Sequence, residues 1–420
     1  MGTNVNIFPC VSASGDASDR NPAARSAQGA RRVLIISASM GAGHDTVAAE
    51  LARRLREHGH RTAVVDVLRL LPYGLGGGLR AFYQASVRHF PWAYGGLYQV
   101  FLRRGTGRRP SGVPLARLAA GRLTRLADRT GADLVVPVFH LAAQLTGHLR
   151  SRGLLRVPSA VFLIDFSVHR QWLHPGNDRY LCLTDEAARA VREDIATPAE
   201  TAGPVVAPAF SAPAPGAEQW SRRFALHGPG RPPVLLSAGA WGAGSRLAAT
   251  AALLAGRGFL PVVLCGRNDR LRGRLPQTPG VLTLGWVADM PGLMHAARAL
   301  VDNAAGQTAV QALAAGLPVV GYRPLPGHGA DGVRRMAALG LSDLAADESG
   351  LLGALERLTA PGPDRERRVR HGRALFRDDL MARMAQLLDA AGPCPSPPST
   401  GTAPGAVGGD GRDTSRGAAS

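Results

Sequence analysis

The stretch from Val33 to Glu50, VLIISASMGAGHDTVAAE, most constrains how this chain can fold. An apolar run typical of a buried strand enters a glycine-containing turn, and a helix-forming run follows directly. Gly41 and Gly43 let the backbone turn sharply and approach a ligand closely. His44 is therefore predicted at a helix N-terminus, where unpaired amides attract an anion. The same pattern also fits an ordinary strand-to-helix turn with a surface histidine.

Two common nucleotide-binding motifs are excluded by the sequence. The chain contains no lysine, so a Walker A loop, which requires one, cannot be present. Thr46 stands where a GxGxxG dinucleotide turn has its third glycine. The turn therefore belongs to another class of ligand site.

Short β-branched runs alternate with longer helical stretches along most of the chain, a pattern typical of parallel α/β folds. Strands are predicted at 33–37, 62–67, 133–138, 159–164, 180–184, 234–237, 260–265, 281–284, 299–301 and 318–322. Proline-rich breaks at 203–216 and 228–233 separate the first five strands from the last five. The predicted fold class is α/β, with two doubly wound Rossmann-like domains facing a cleft.

The same breaks predict how the chain is divided. Residues 1–30 and 393–420 are rich in small and polar residues and are predicted as disordered tails. Residues 31–205 are predicted as the N-terminal domain, 206–232 as a linker and 233–392 as the C-terminal domain. A chain of 420 residues is long enough for two such cores.

Composition favours an intracellular protein. The four cysteines are scattered without a CxxC pair, so neither a zinc site nor a disulfide framework is predicted. No apolar run reaches the length of a membrane span, and the first thirty residues lack the apolar core of a secretory signal. We expect a cytoplasmic protein.

Six short segments in order identify a family resemblance. The first half contributes GAGH (41–44) and FLIDFSVHRQWLHPGNDRYLCLTDEA (162–187). The second contributes LLSAGAWGAGS (235–245), PVVLCGRNDRL (261–271), LGWVADM (284–290) and DNAAGQTAVQALAAGLPVV (302–320). Over residues 31–345 the chain resembles the GT-B glycosyltransferases that include monogalactosyldiacylglycerol synthases, bacterial diacylglycerol glucosyltransferases and the murein N-acetylglucosaminyltransferase.

The resemblance implies roles for particular residues. His44 maps onto the family's general base or acceptor-orienting histidine, and a neutral imidazole suits proton removal near neutral pH. The implied acceptor-binding residues of the N-terminal domain are Gly41, Gly43, Asp165, His169 and Trp172. The implied donor-binding residues of the C-terminal domain are Gly239, Trp241, Gly266, Val287, Gly306, Gln307, Thr308, Gln311 and His328. A helix N-terminus would stabilise the leaving nucleoside diphosphate, so neither a metal nor a cofactor is expected.

Five departures from the family pattern fall in the donor site. Gln311 replaces the acidic residue that holds the donor ribose, and Ala207 replaces an arginine. The P-G-Q-E-x-x-N loop reads Pro326 to Gly332 here, with His328, Gly329 and Gly332 in place of Gln, Glu and Asn. These changes predict weaker ribose binding, an unusual donor or impaired catalysis.

A basic, aromatic segment resembles the family's membrane-contacting acceptor lobe. The stretch from Val67 to Thr130 contains eleven arginines and only one acidic residue, and the net charge of the whole chain is +18. The residues predicted to face an anionic membrane are Arg80, Arg88, Trp92, Arg103, Arg104, Arg108 and Arg109. Arginines beside aromatics also suit RNA, but no RNA-binding motif accompanies them, so no nucleic acid is expected. A helical hairpin with a solvated arginine face fits as well.

The predicted function is metal-independent, inverting transfer of a hexose from a nucleotide-sugar, a UDP-sugar, to a lipid hydroxyl such as that of diacylglycerol. The expected partners are the donor, the lipid acceptor and the inner face of the cell membrane. A natural-product glycosyltransferase with a soluble acceptor and a non-catalytic GT-B-fold binding protein are the alternatives.

Overall fold

The structure, a computed structural model, describes residues 29–89, 91–103, 112–237, 246–275 and 280–390. Its first half contains six parallel strands: β1 (Arg32–Ser37), β2 (Arg61–Asp66), β3 (Leu134–Pro137), β4 (Ala160–Leu163), β5 (Arg179–Cys182) and β6 (Ala199–Thr201). Their order is β2-β1-β3 and β4-β5-β6, and one bridge between Val135 and Ser159 joins the two groups.

The second half contains one six-stranded parallel sheet. Its strands are β7 (Pro233–Ser237), β8 (Leu260–Leu264), β9 (Leu282–Leu284), β10 (Ala299–Asp302), β11 (Val319–Tyr322) and β12 (Ser342–Ala345), in the order β12-β11-β10-β7-β8-β9. Strands β1, β3, β8 and β10 are almost wholly buried because helices cover both faces of each sheet. The predicted α/β class with two doubly wound sheets is confirmed.

Helices connect these strands and cover the sheets. The first half contains α1 (Ala42–Glu57), α2 (Val67–Leu70), α3 (Leu75–His89), α4 (Pro91–Phe101), α5 (Val113–Arg117), α6 (Ala120–Thr130), α7 (His140–Ser151) and α8 (Asp185–Ile195). The rest are α9 (Ala217–His227), α10 (Leu247–Gly256), α11 (Asp269–Arg274), α12 (Met290–Ala296), α13 (Gln307–Ala314), α14 (His328–Ala338), α15 (Glu348–Thr359), α16 (Pro363–Ala374) and α17 (Leu380–Ala390).

Strand order places one ligand-binding crevice in each half. In the first sheet the direction of strand addition reverses between β1 and β3, and in the second between β7 and β10. Ligands of doubly wound sheets bind at the carboxyl ends of strands beside such a reversal. The helices that follow β1 and β10, α1 and α13, contact one another. The two crevices therefore face each other.

The two halves are also joined around residues 199–210. The Nε2 of Gln307 donates to the carbonyl of Val205 at 2.9 Å, and the guanidinium of Arg54 donates to the carbonyl of Val206 at 2.5 Å. Arg383 of α17 lies 3.4 Å from Glu200 of β6. The last helix of the chain thus packs back against the first half. The predicted linker contains the helix α9, and the predicted domain boundaries stay predictions.

Candidate active site

His44 lies in the first turn of α1, at the carboxyl end of β1. Its Nδ1 lies 2.9 Å from the carbonyl oxygen of Val138, at the end of β3. A carbonyl oxygen can only accept a hydrogen bond, so Nδ1 carries the proton and Nε2 holds a lone pair. The ring of Phe139 packs edge-on at 4.9 Å. His44 is therefore held in the tautomer that a general base needs.

The two glycines before His44 have different roles. A Cβ on Gly43 would lie 3.3 Å from the Cβ of Gln307, so a side chain there would press α1 away from α13. Gly41 has φ −151°, an extended conformation that any residue adopts, and open space where its Cβ would lie. The chain does bend at Gly41, as predicted, but this backbone conformation does not require a glycine. Its lack of a side chain leaves room beside the start of α1.

Asp165 is the centre of a mostly buried polar group after β4. Its Oδ2 accepts a hydrogen bond from Nε1 of Trp172 at 2.7 Å and lies 3.6 Å from Nε2 of His169. Trp172 is fully buried and His169 nearly so. Both were predicted to bind the acceptor. Their burial instead makes them supports that orient Asp165, which stays partly exposed.

Burial keeps two further histidines of this group neutral. His140 begins α7, and burial lowers its pKa to about 3, with the nearby His44 and His328 adding to the shift. The pKa of His169 is also far below its ordinary value because of burial and the histidines around it. Among the described residues, no three His, Cys, Asp or Glu side chains are placed to hold a metal ion.

The donor side of the cleft begins at the end of β10. The Oδ2 of the buried Asp302 accepts hydrogen bonds from the amides of Ala304 and Ala305, at 3.0 and 2.6 Å. Burial raises the pKa of this carboxyl, although the amide hydrogen bonds oppose the shift. The chain then reaches Gly306, which precedes α13 and provides no side-chain cap. The first amides of α13 are therefore free of a capping side chain, as an anion site requires.

The predicted donor residues of α13 lie on this first turn or directly after it. Thr308 is half-buried, and Gln311 is half-buried one turn later, on the same face as Gln307. The side chain of Gln307 bonds to Val205 and so ties the two halves together. Donor contact by Gln307 is therefore expected from its backbone amide.

Two replaced residues of the 326–332 loop allow close packing. A Cβ on Gly332 would lie 3.0 Å from the Cβ of Ala305, and one on Gly329 would lie 3.4 Å from the backbone of Ala304. The glycines thus let α14 lie directly on the turn that precedes α13. His328 begins α14, and its pKa is lowered by burial although Asp165 and Asp331 oppose the shift.

At the ends of β8 and β9 the structure presents an exposed tryptophan. Gly266 follows β8 with φ +58°, a conformation that favours glycine. The guanidinium of Arg267 lies over the ring of Trp286, 4.6 Å from its centroid, and Trp286 is 55% exposed. Val287, the predicted base-binding residue, is half-buried next to it. A flat aromatic surface thus lies where the resemblance places the nucleobase.

The surface of α3, α4 and the turns around them carries the exposed part of the basic, aromatic segment. Trp92 is 75% exposed, and Tyr73, Phe82 and Phe101 are exposed too. Arg80 and Arg103 are exposed on the same segment. Gly239, Trp241, Arg104, Arg108 and Arg109 lie outside the described residues, as does the side chain of Arg88. No helix among the described residues has the length and apolarity to cross a membrane.

Some residues at the junction were not predicted. The hydroxyl of Tyr98, on α4, donates to Asp331 of α14 at 2.7 Å. A cavity of about 240 Å³ lies beside this contact and is lined by both halves, including Phe166, Val168 and Arg335. The sequence contained one signal that could have predicted His140 as a site residue, because His140 follows β3 just as His44 follows β1. Nothing in the sequence pairs Tyr98 with Asp331.

Comparisons with known proteins agree with this architecture. The family model described as monogalactosyldiacylglycerol (MGDG) synthase matches residues 44–206. The chain is 25% identical over 352 residues to the processive diacylglycerol beta-glucosyltransferase of Bacillus cereus strain AH187, covering 78% of this chain and 85% of the relative. The chain has the GT-B fold and is similar to glycosyltransferases that use this fold. The predicted family resemblance is confirmed.

Solved structures show the same fold. The calicheamicin glycosyltransferase CalG4 superposes with a TM-score of 0.55 at 17% identity, covering 87% of this chain and 98% of that one. MurG of Acinetobacter baumannii gives a TM-score of 0.52 at 15% identity, covering 86% and 99%. These neighbours establish the two-sheet GT-B arrangement of this chain.

Proposed function

We propose that this chain transfers a hexose from a UDP-sugar to a lipid hydroxyl, such as that of diacylglycerol. The observation that carries the proposal is the close approach of Gly43, which precedes His44 on α1, to Gln307 at the uncapped start of α13, together with the general-base tautomer of His44. A base and an anion site on opposite sides of one cleft are what sugar transfer from a diphosphate donor requires. The MGDG synthase model and the diacylglycerol beta-glucosyltransferase relatives support a lipid acceptor.

In the proposed reaction, Nε2 of His44 takes the proton of the acceptor hydroxyl. The acceptor oxygen attacks the anomeric carbon while the bond from that carbon to the diphosphate oxygen breaks. The electron pair of the broken bond passes to the leaving diphosphate, which the uncapped starts of α13 and α14 stabilise. A single displacement between opposed sides inverts the anomeric centre. The chain's own groups supply the base and the anion site, so the proposed step needs no metal ion.

We assign Asp165 to the acceptor side. Its carboxylate is oriented by Trp172 and His169 and stays partly exposed near His44 and His328. Phe166 and Val168, which follow Asp165 closely in the chain, line a cavity together with Tyr98. A carboxylate can accept a hydrogen bond from a second hydroxyl of the acceptor and so aim the reacting one.

The exposed surface of α3 and α4 is the proposed membrane contact. Tryptophan and phenylalanine settle at the headgroup level, while Arg80 and Arg103 attract anionic lipids. The helix α4 carries both Trp92 and the buried Tyr98, so this surface lies beside the cleft. A lipid acceptor would then reach His44 from the bilayer, at the inner face of the cell membrane.

Thermal shift with a panel of nucleotide sugars, followed by turnover with diacylglycerol vesicles, tests the proposal. We expect a UDP-sugar to raise the melting temperature and to yield a glycolipid. Stabilisation without any turnover would favour a non-catalytic binding protein. Turnover only with a soluble hydroxylated acceptor would favour a natural-product glycosyltransferase.

A further inference from the structure

His328 brings a titratable side chain of the second half within electrostatic range of His44 and Asp165. Its electrostatic neighbours include Asp165 and His44 of the first half and Asp331 of its own helix. The ring of Tyr98 lies 6.5 Å from its ring. The related loop pattern has a glutamine at this position, and an amide cannot take up a proton. His328 therefore adds a chemical property that the related pattern lacks.

The surroundings of His328 fit a bound anion. Gly329 and Gly332 seat α14 on the turn that precedes α13, so the starts of two helices lie side by side. Neither start has a side-chain cap. Two uncapped helix starts at one place favour negative charge.

The charges around His328 make its protonation sensitive to a ligand. Burial holds its pKa below the ordinary value, and His44 adds to that shift, while Asp165 and Asp331 oppose it. The titratable groups that face it are His44 of α1, Tyr98 of α4, His140 of α7, Asp165 and His169 after β4, and Asp331 of α14. A diphosphate brings two further negative charges, which favour the imidazolium.

We propose that His328 takes up a proton when the donor diphosphate binds, and then donates a hydrogen bond to that diphosphate as it leaves. This role rests on the proposed function. While the acceptor oxygen bonds to the anomeric carbon, the bond to the diphosphate oxygen breaks and its electron pair stays on that oxygen. The acceptor proton goes to His44, and the proton on His328 stabilises the new charge.

Calorimetry with UDP-glucose in buffers of different ionisation enthalpy measures this proton directly. The diphosphate of UDP-glucose has no proton that titrates near neutral pH, so any proton taken up goes to the protein. We expect the wild type to take up close to one proton at pH 7, and its affinity to fall by up to about tenfold per pH unit as pH rises. His328→Gln should bind without uptake and without this pH dependence.

Three further variants complete the test. His227→Gln removes an exposed histidine of α9 and should leave the proton uptake unchanged. His44→Gln should retain the uptake, because the proton belongs to His328. His328→Arg carries a fixed charge and should bind without uptake, which checks the role even if the glutamine variant does not fold.

Three results would overturn this role. Uptake that persists in His328→Gln, or that disappears in His44→Gln instead, assigns the proton elsewhere. If the wild type binds UDP-glucose without taking up a proton, the role of His328 is wrong but the proposed donor is not contradicted. A wild type that binds no UDP-glucose contradicts the proposed UDP-sugar donor as well, so the two failures are distinguishable.

Discussion

His44 owes its chemistry to one hydrogen bond from another strand. The carbonyl of Val138 accepts from Nδ1, so the lone pair must be on Nε2. The edge of Phe139 packs against the ring. Tautomer and orientation are thus set by residues at the end of β3, nearly a hundred positions further along the chain.

Replacing His44 with Ala should lower kcat by about 10²- to 10⁴-fold, because the acceptor proton loses its base. The affinity for the donor should change little, since His44 belongs to the acceptor side. Steady-state kinetics with a saturating donor measure both. His227→Ala, an exposed position on α9, is the matched control. Wild-type turnover in the His44 variant would contradict its assignment as the base.

Gln311→Glu should tighten binding of a UDP-sugar by up to about 1 to 2 kcal/mol, because a carboxylate accepts hydrogen bonds from ribose hydroxyls more strongly than an amide. Gln311 is half-buried and lies on the same face of α13 as Gln307. Titration calorimetry on the two proteins measures the difference. Equal or weaker binding by the glutamate variant would show that residue 311 does not contact the ribose.

At the level of single residues, the sequence predicted those that sit at strand ends and missed those that depend on distant pairing. His44 and Asp165 follow predicted strands, and the structure brings both to the junction. Trp172 was expected to contact a ligand, yet its full burial follows from packing that no local pattern reveals. The contact between Tyr98 and Asp331 joins residues more than two hundred positions apart.

Among the helices, α1 combines the active-site turn with a buried ion pair. Burial alone would raise the pKa of Glu50, but hydrogen bonds from Arg53 and Arg54, both at 2.8 Å, hold it below its ordinary value. Arg54 also bonds to Val206 between the two halves. The carboxylate therefore supports both the helix and the junction.

Glu50→Gln should reduce the free energy of unfolding by about 1 to 2 kcal/mol at neutral pH, a value discounted because both arginines are partly exposed. A carboxyl with a lowered folded-state pKa stabilises the protein above its unfolded pKa, and this stability is lost as pH falls through the folded pKa. Urea unfolding at several pH values should show the variant and wild type converging in acid. A constant difference across pH would contradict the ion-pair explanation.

The surface of α3 and α4 should bind vesicles through charge and aromatic insertion together. Arg80→Glu with Arg103→Glu should weaken binding to anionic vesicles strongly at low salt, and Trp92→Ala should weaken it at every salt concentration. Vesicle co-sedimentation measures both. Arg257→Glu with Arg270→Glu, two exposed arginines of the second half, makes the same charge change and should bind like the wild type. If the control variant loses as much vesicle binding, the effect depends on the net charge of the protein and not on the surface of α3 and α4.

The predicted strands depended on apolar patterning, and the two unpredicted strands lack it. Strands such as β1 and β8 are continuous aliphatic runs, which hydrophobic patterning detects. Strands β6, Ala199–Thr201, and β12, Ser342–Ala345, lie at sheet edges, are short and carry polar residues. These two strands form because they pair with a neighbouring strand, and this pairing cannot be predicted from the local sequence.

At the scale of the whole molecule, both halves complete one site. The proposed base lies on α1, the proposed anion site is at the uncapped starts of α13 and α14, and contacts of Gln307 with Val205 and of Tyr98 with Asp331 cross between the halves. Alternating strands and helices predicted two sheets with a cleft between them. Which helix ends meet could not be predicted, because it depends on packing at glycines such as Gly43 and Gly332.

The configuration of the product tests the proposed reaction most directly. Wild-type protein is incubated with UDP-α-D-glucose and diacylglycerol vesicles in the presence of EDTA, and the anomeric proton of the product is assigned by NMR. We expect a β-linked glucolipid, because one displacement across the cleft inverts the anomeric carbon and the helix amides replace a metal. An α-linked product, or no glycolipid until a divalent cation is added, would contradict the proposed mechanism.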